Sequence, residues 1–89
     1  AWVELPGVRA ALFLERAAEA QRAGDIATAL LALGTAYELD PGNYAAGLTL
    51  ARLYEGGQPA LSNQTYARLL AEHPARREET AQAWLRALL

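Results

Sequence analysis

At 89 residues the chain has room for one domain, and a domain of that size buries only about 60% of the surface its unfolded chain exposes. Its apolar fraction of 53% is dominated by alanine and leucine, the strongest apolar helix formers, which points to an all-α fold. The formal charge of -2, the dispersal of the basic residues from Arg9 to Arg86 and the lack of cysteine argue against nucleic acid as a partner and exclude disulfides and thiolate metal sites.

The first helix is expected from Val8 to Ala23, preceded by Pro6-Gly7 and closed by Gly24, a residue suited to the left-handed conformation that ends helices. Leu12, Phe13, Arg16, Ala17 and Ala20 mark one of its faces, extended by Ala10 and Leu14. Asp25 caps a second helix, Ile26 to Leu39, in which Ile26, Ala29, Leu30, Leu33 and Ala36 recur with helical rhythm. Asp40-Pro41-Gly42-Asn43 makes a turn, and Asn43 caps a third helix from Tyr44 to Glu55, where Leu50, Leu53 and Tyr54 recur. Gly56-Gly57 end it. Pro59 belongs in the first turn of a fourth helix that reaches His73, with Ser62 as a rival cap. A fifth runs from Ala75 to Leu89, with Glu78 and Glu79 in its first turn and Arg86 in its last, both matched to the helix dipole. Connections of two to five residues fold such helices into antiparallel hairpins.

The chain repeats itself. Asp40-Pro41 and His73-Pro74 close successive helix pairs, a step of thirty-three, and Ala17 and Ala51 hold matching places in the first helix of each pair, a step of thirty-four. Ala17, Ala29 and Pro41 follow one another at twelve-residue steps, with Leu33 four beyond Ala29. With Gly24-Asp25-Ile26, Ala29-Leu30, Ala36 and Glu38-Leu39-Asp40-Pro41-Gly42-Asn43, this first unit resembles the tetratricopeptide-repeat (TPR) family. Leu50-Ala51, Tyr54, Ser62, Tyr66 and Pro74 continue the resemblance, which covers residues 10–74. Ala51 to Ser62 is eleven residues where the pattern wants twelve, so one residue is deleted around Gly56-Gly57-Gln58. Gly47 stands where the family places Trp or another large residue. Trp84 stands ten residues after Pro74, where a small one is expected.

The resemblance implies a right-handed α-solenoid of antiparallel hairpins with five helices in one domain spanning residues 1–89. Residues 8–41 would form the first repeat and 44–74 the second. Residues 75–89 would be a capping helix, or the start of a truncated third repeat in which Ala83 slides into the small site. The family's function implies a non-catalytic module that binds another protein or peptide, without cofactor or metal. Carried over by position, its concave face would comprise Ala11, Leu14, Glu15, Ala18, Gln21 and Arg22 from the first helix. Ala45, Leu48, Thr49, Arg52 and Glu55 would follow from the third, and Glu78, Ala81, Gln82 and Leu85 from the fifth. Family members that grip a carboxylate terminus use Lys, Asn, Asn, Lys and Arg where this chain has Leu14, Ala18, Thr49, Glu78 and Gln82. None of these is basic, so that ligand is not expected.

His73 is the one histidine, and its place at a helix end reads as a dipole partner. No second histidine or cysteine completes a nucleophilic or metal site, and the pairs Glu15–Glu19 and Glu78–Glu79 read as solvated carboxylates. Asn63-Gln64-Thr65 matches the glycosylation pattern by chance. No apolar run approaches the roughly 18 to 20 residues that cross a bilayer, so direct membrane insertion is not expected. The start at Ala1-Trp2-Val3 without Met or signal peptide, and the use of arginine alone as the basic residue, read as a segment of a larger bacterial protein; cytosol and periplasm both fit. Trp2, Trp84, Leu85, Leu88 and Leu89 would seal the ends of the stack or drive self-association into a homo-oligomer through the terminal helix. A structural spacer and a regulatory appendage of a catalytic domain elsewhere in the parent chain are the rival readings.

Overall fold

Two capped starts and one left-handed glycine account for much of the chain's segmentation. The computed structural model describes residues 6–89, with side chains from Val8 onward, and every regular element among them is helical. The order is α1 (Pro6–Arg22), α2 (Ile26–Leu39), α3 (Tyr44–Glu55), α4 (Pro59–Glu72), a 3-10 turn (Pro74–Arg76) and α5 (Arg77–Leu88). Trp2 lies outside the described residues. The Asp25 carboxylate accepts from the Thr28 N–H at 3.2 Å and from its hydroxyl at 2.6 Å, which starts α2. Asn43 Oδ1 accepts from the Ala46 N–H and starts α3.

Five boundaries differ from expectation; α1 ends at Arg22 and not Ala23, and α5 at Leu88 and not Leu89, each a single residue short. α1 begins at Pro6, two residues before Val8, because proline fits the first turn, where an N–H has no partner to lose. α4 ends at Glu72, since the following proline holds His73 out of the helical region at φ -127°, ψ 67°. The Pro74–Arg76 turn then precedes α5, which starts at Arg77 and not at Ala75. Ser62 caps nothing. Gln58 is the N-cap of α4, without a side-chain bond, and Ser62 is buried with its hydroxyl donating to the Ala51 carbonyl at 2.9 Å.

The two hairpin turns close differently. At the first, Gly24 takes φ +77°; its N–H reaches the Gln21 carbonyl and that of Asp25 the Ala20 carbonyl, the paired bonds of a Schellman closure. At the second, Gly56 stays right-handed at φ -71°, and Gly57 and Gln58 both donate to the Tyr54 carbonyl. Both turns leave three residues between their helices, and the residue missing between Ala51 and Ser62 is lost at the end of α3, which stops four residues past Ala51 where α1 runs five past Ala17.

α1 packs on α2, α3 on α4, α2 on α3, and α5 on both α4 and α3, in a body of 49 × 31 × 17 Å. Ala17, Ala29 and Ala51 are fully buried, so the small residues sit where the paired helices come closest. The core forms two clusters. One joins Ala17, Ala32, Leu33 and Leu50, with Phe13 and Leu53 against it; the other joins Tyr37, Tyr44, Ala46, Ala51, Tyr66 and Leu69, with Trp84 and Ala87 against it. Leu12, Arg16 and Ile26, read as parts of apolar faces, are exposed. Gly47 has its explanation here. A Cβ at that position would lie 2.6 Å from Leu69 Cδ2 and 2.8 Å from Tyr37 Cε1, so the Tyr37 ring occupies the space a larger residue would need.

Candidate functional site

α3 forms a wall shared by two cavities. The first, about 450 Å³, lies between α3 and α5 and is lined by Leu48, Arg52 and Glu55 of α3, Tyr66 of α4, and Glu79, Gln82, Ala83, Arg86 and Ala87 of α5. The second, about 210 Å³, lies between α1 and α3 and is lined by Leu14, Ala17, Ala18, Gln21, Leu33, Asn43, Ala45, Ala46 and Thr49. Residues 45, 48, 49 and 52 recur three and four apart, so one stripe of α3 runs from one cavity into the other.

Of the residues expected on a concave face, Leu14, Ala18, Gln21, Ala45 and Thr49 line the smaller cavity, and Leu48, Arg52, Glu55 and Gln82 the larger. Ala11, Glu15, Arg22, Glu78, Ala81 and Leu85 line neither. On α5 the wall is Glu79, Gln82, Ala83 and Arg86, and these repeat the positions of Ala45, Leu48, Thr49 and Arg52 at the step that relates Ala51 to Ala17. The shorter step between the two prolines places the α5 face one residue too early. Glu79 and Arg86 were missed for that reason; the longer step from Ala17 to Ala51 carried the information.

The larger cavity has polarised walls. Tyr66 donates its hydroxyl to Glu55 Oε2 at 2.5 Å, and burial, followed by that bond and the carboxylate charge, pushes the phenol up to about 12. Glu79 pairs with Arg76 at 3.2 Å. Glu79 is therefore paired and Glu55 takes the phenol, whereas Arg52, which also approaches the Tyr66 hydroxyl, and Arg86 form no ion pair among the described residues. The guanidinium groups supply donors suited to a planar carboxylate or to peptide carbonyls.

The other polar groups hold helices together. Arg68 donates to Glu38 at 2.7 Å and Glu72 at 2.8 Å and lies 4.6 Å from the Tyr37 ring centroid, tying α4 to α2. The hydrogen bond from Arg68 holds Glu72 below the usual carboxylate range, and burial followed by the Glu72 charge pushes Tyr37 up to about 12. His73 does more than meet a helix dipole. Its Nε2 lies 2.9 Å from the Pro41 carbonyl and its ring meets Tyr44 edge-on at 5.4 Å, linking the two turns that follow the hairpins. Thr80, buried, bonds the Arg76 carbonyl and the Tyr44 hydroxyl, each at 2.8 Å. Trp84 stacks on Tyr66 with centroids 6.0 Å apart and donates Nε1–H to Asn63 Oδ1 at 2.9 Å. Every buried side-chain nitrogen or oxygen among the described residues has a hydrogen-bond partner.

Among the described residues no cluster of three His, Asp or Glu side chains is placed to hold a metal ion, and no helix is long and apolar enough to cross a membrane. No family model, curated protein or solved structure matches the chain.

Proposed function

We propose that the chain is a tetratricopeptide-like, right-handed stack of helix hairpins that binds a peptide segment of another protein along the face shared by α1, α3 and α5, without catalysis or cofactor. The observation that carries this reading is the pair of cavities joined by one stripe of α3, lined by side chains that recur at a fixed step on α3 and α5. Repeating positions at a constant spacing present an extended ligand with a repeating surface. The ligand carries an acidic side chain, because Arg52 and Arg86 are the charged donors of the larger cavity left without ion pairs while its acids are already engaged. A carboxylate grip at the family's usual places stays unexpected, since Leu14, Ala18, Thr49 and, at the corrected step on α5, Glu79 and Ala83 hold no cation.

The test is selection of short peptides from a random displayed library, followed by NMR mapping of the best binders on the labelled chain. The expected result is enrichment in Asp and Glu, shifts concentrated at Leu48, Arg52, Gln82 and Arg86, and at least tenfold weaker binding by Arg52→Glu. Binders that map to the α2–α4 side, or a library that yields none, would overturn the proposal.

A further inference from the structure

Two carboxylates line the α3–α5 cavity beside its two arginines, and each is held by a donor that is neither of those arginines. Arg86 is open for a simple reason: the residues three and four before it on α5 are Ala83 and Gln82, so no acid stands one turn away. Arg52 is different. Glu55 follows it by three residues on α3, a spacing at which side chains are neighbours and opposite charges pair. Glu55 is also the last residue of α3, at the negative end of the helix dipole, so it gains from any cation within reach. Yet its Oε2 accepts from the Tyr66 hydroxyl at 2.5 Å, and no Arg52–Glu55 ion pair forms. Tyr66 is well held for this contact. It is fully buried, and its ring stacks on Trp84 with centroids 6.0 Å apart, so it meets the cavity only at its edge. Arg52 approaches the same hydroxyl, which as a neutral phenol can give its proton to the acid and turn its lone pairs to the guanidinium.

We infer that Tyr66 is a positioning residue for ligand selection: by giving its hydroxyl proton to Glu55 it holds that carboxylate off Arg52 and leaves the guanidinium for a carboxylate of the ligand. The inference rests on the proposal that the groove takes a peptide with an acidic side chain. Glu55 is then the built-in competitor of that side chain, since it carries the same group. A competitor tethered one turn away acts at an effective concentration that a free ligand must overcome. The phenol keeps its proton to about 12, so its hold on Glu55 does not lapse near neutral pH. Tyr66 thereby serves recognition through Arg52, from a place in the core where a phenylalanine would pack as well.

Tyr66→Phe removes the hydroxyl and keeps the ring on Trp84. A crystal structure of this variant without ligand is expected to show Glu55 paired with Arg52, with N···O no longer than about 4 Å. The second arm titrates the 89-residue chain with the acidic peptide drawn from the displayed library, and with the same peptide carrying amides in place of its acids. The wild-type chain prefers the acidic form, Tyr66→Phe lowers that preference about two- to fivefold, and Tyr66→Phe with Glu55→Gln restores it. Restoration is the deciding readout, because loss of packing at Tyr66 would not be repaired by removing a charge on α3. If Glu55 stays clear of Arg52 in the variant crystal, the inference is overturned whether or not a peptide binds. An acid preference that Tyr66→Phe leaves intact, or that Glu55→Gln fails to restore, also overturns it while the groove proposal stands. A wild-type chain that binds both peptides equally sinks the acidic-ligand proposal and this inference with it.

Discussion

Replacing Gly47 by alanine sets two effects of known size against each other. In a helix interior alanine is favoured over glycine by about 1 kcal/mol, so propensity alone predicts a more stable protein. Packing predicts the opposite. The new Cβ would lie 2.6 Å from Leu69 Cδ2 and 2.8 and 3.0 Å from Tyr37 Cε1 and Cζ, whereas carbon contacts are comfortable at about 3.5–4.0 Å. Relief needs a shift of roughly 0.7–0.9 Å to reach the short end of that range. The Tyr37 ring is poorly placed to give way: it is buried, its hydroxyl bonds Glu72 at 3.2 Å, and Arg68 lies over its face. Leu69 is fully buried as well. Overpacking of this kind costs about 1–3 kcal/mol, and with both neighbours held the upper part of that range applies. The expected net loss for Gly47→Ala is therefore about 1–2 kcal/mol, and at about 4–8 °C per kcal/mol for a small domain Tm falls by about 5–15 °C. Thermal and urea melts followed by circular dichroism measure it. A double-mutant cycle with Leu69→Ala is expected to show positive relief, the pair being less destabilised than the sum of the singles by about 1 kcal/mol. A rise in Tm for Gly47→Ala would show that Tyr37 has slack and would refute the reasoning.

Two further results are expected. Gly24→Ala forces an L side chain to φ +77° and costs about 1–2 kcal/mol, while Gly57→Ala, whose Cβ meets nothing, is neutral or stabilising by a few tenths of a kcal/mol; paired melts decide it, and equal losses at the two sites would sink the distinction between the turns. Tyr37 and Tyr66 keep their protons to about 12, above the ordinary phenol value of 10.0, so their contribution is fully present below pH 10 and is lost as pH rises from 10 through 12. Urea melts at pH 9 and 11.5 should show that loss reduced in Tyr66→Phe, and an unaltered pH dependence in that variant would count against it.

Wherever a residue acts on its own chain neighbours, the sequence was readable. Asp25 and Asn43 cap what they immediately precede, and Gly24 closes what it follows, so α2 and α3 have the expected bounds. The small residues were legible from the repeat instead, Ala17 and Ala51 at matching places in their helices and Ala29 twelve residues after Ala17, and all three are buried. Reading failed wherever the deciding partner lay on another helix. Gly47 is explained by Tyr37 and Leu69, which belong to α2 and α4, and Trp84 by Tyr66 and Asn63. Ser62 looked like a cap because hydroxyls favour helix starts, but here its hydroxyl bonds across to α3. In the candidate groove every residue expected from α3 and half of those from α1 line a cavity, while α5 was read one residue early, because proline spacing follows the turns and side-chain spacing follows the helices that pack.

The early end of α3, four residues past Ala51 where α1 runs five past Ala17, and the 3-10 turn before α5 have opposite effects on the count of residues. The first removes one position between Ala51 and Ser62; the second returns it between Leu69 and Thr80, so that α2 and α4 correspond at a step one shorter than the step shared by α1, α3 and α5. α1, α3 and α5 are therefore held in phase while α2 and α4 slip past them by one residue. For the peptide proposed to lie across α1, α3 and α5, equivalent side chains stay in step because the 3-10 turn restores the residue that α3 gives up. A residue lost within a hairpin and restored before the next one shifts the outer face by one position and leaves the α1, α3 and α5 face in register.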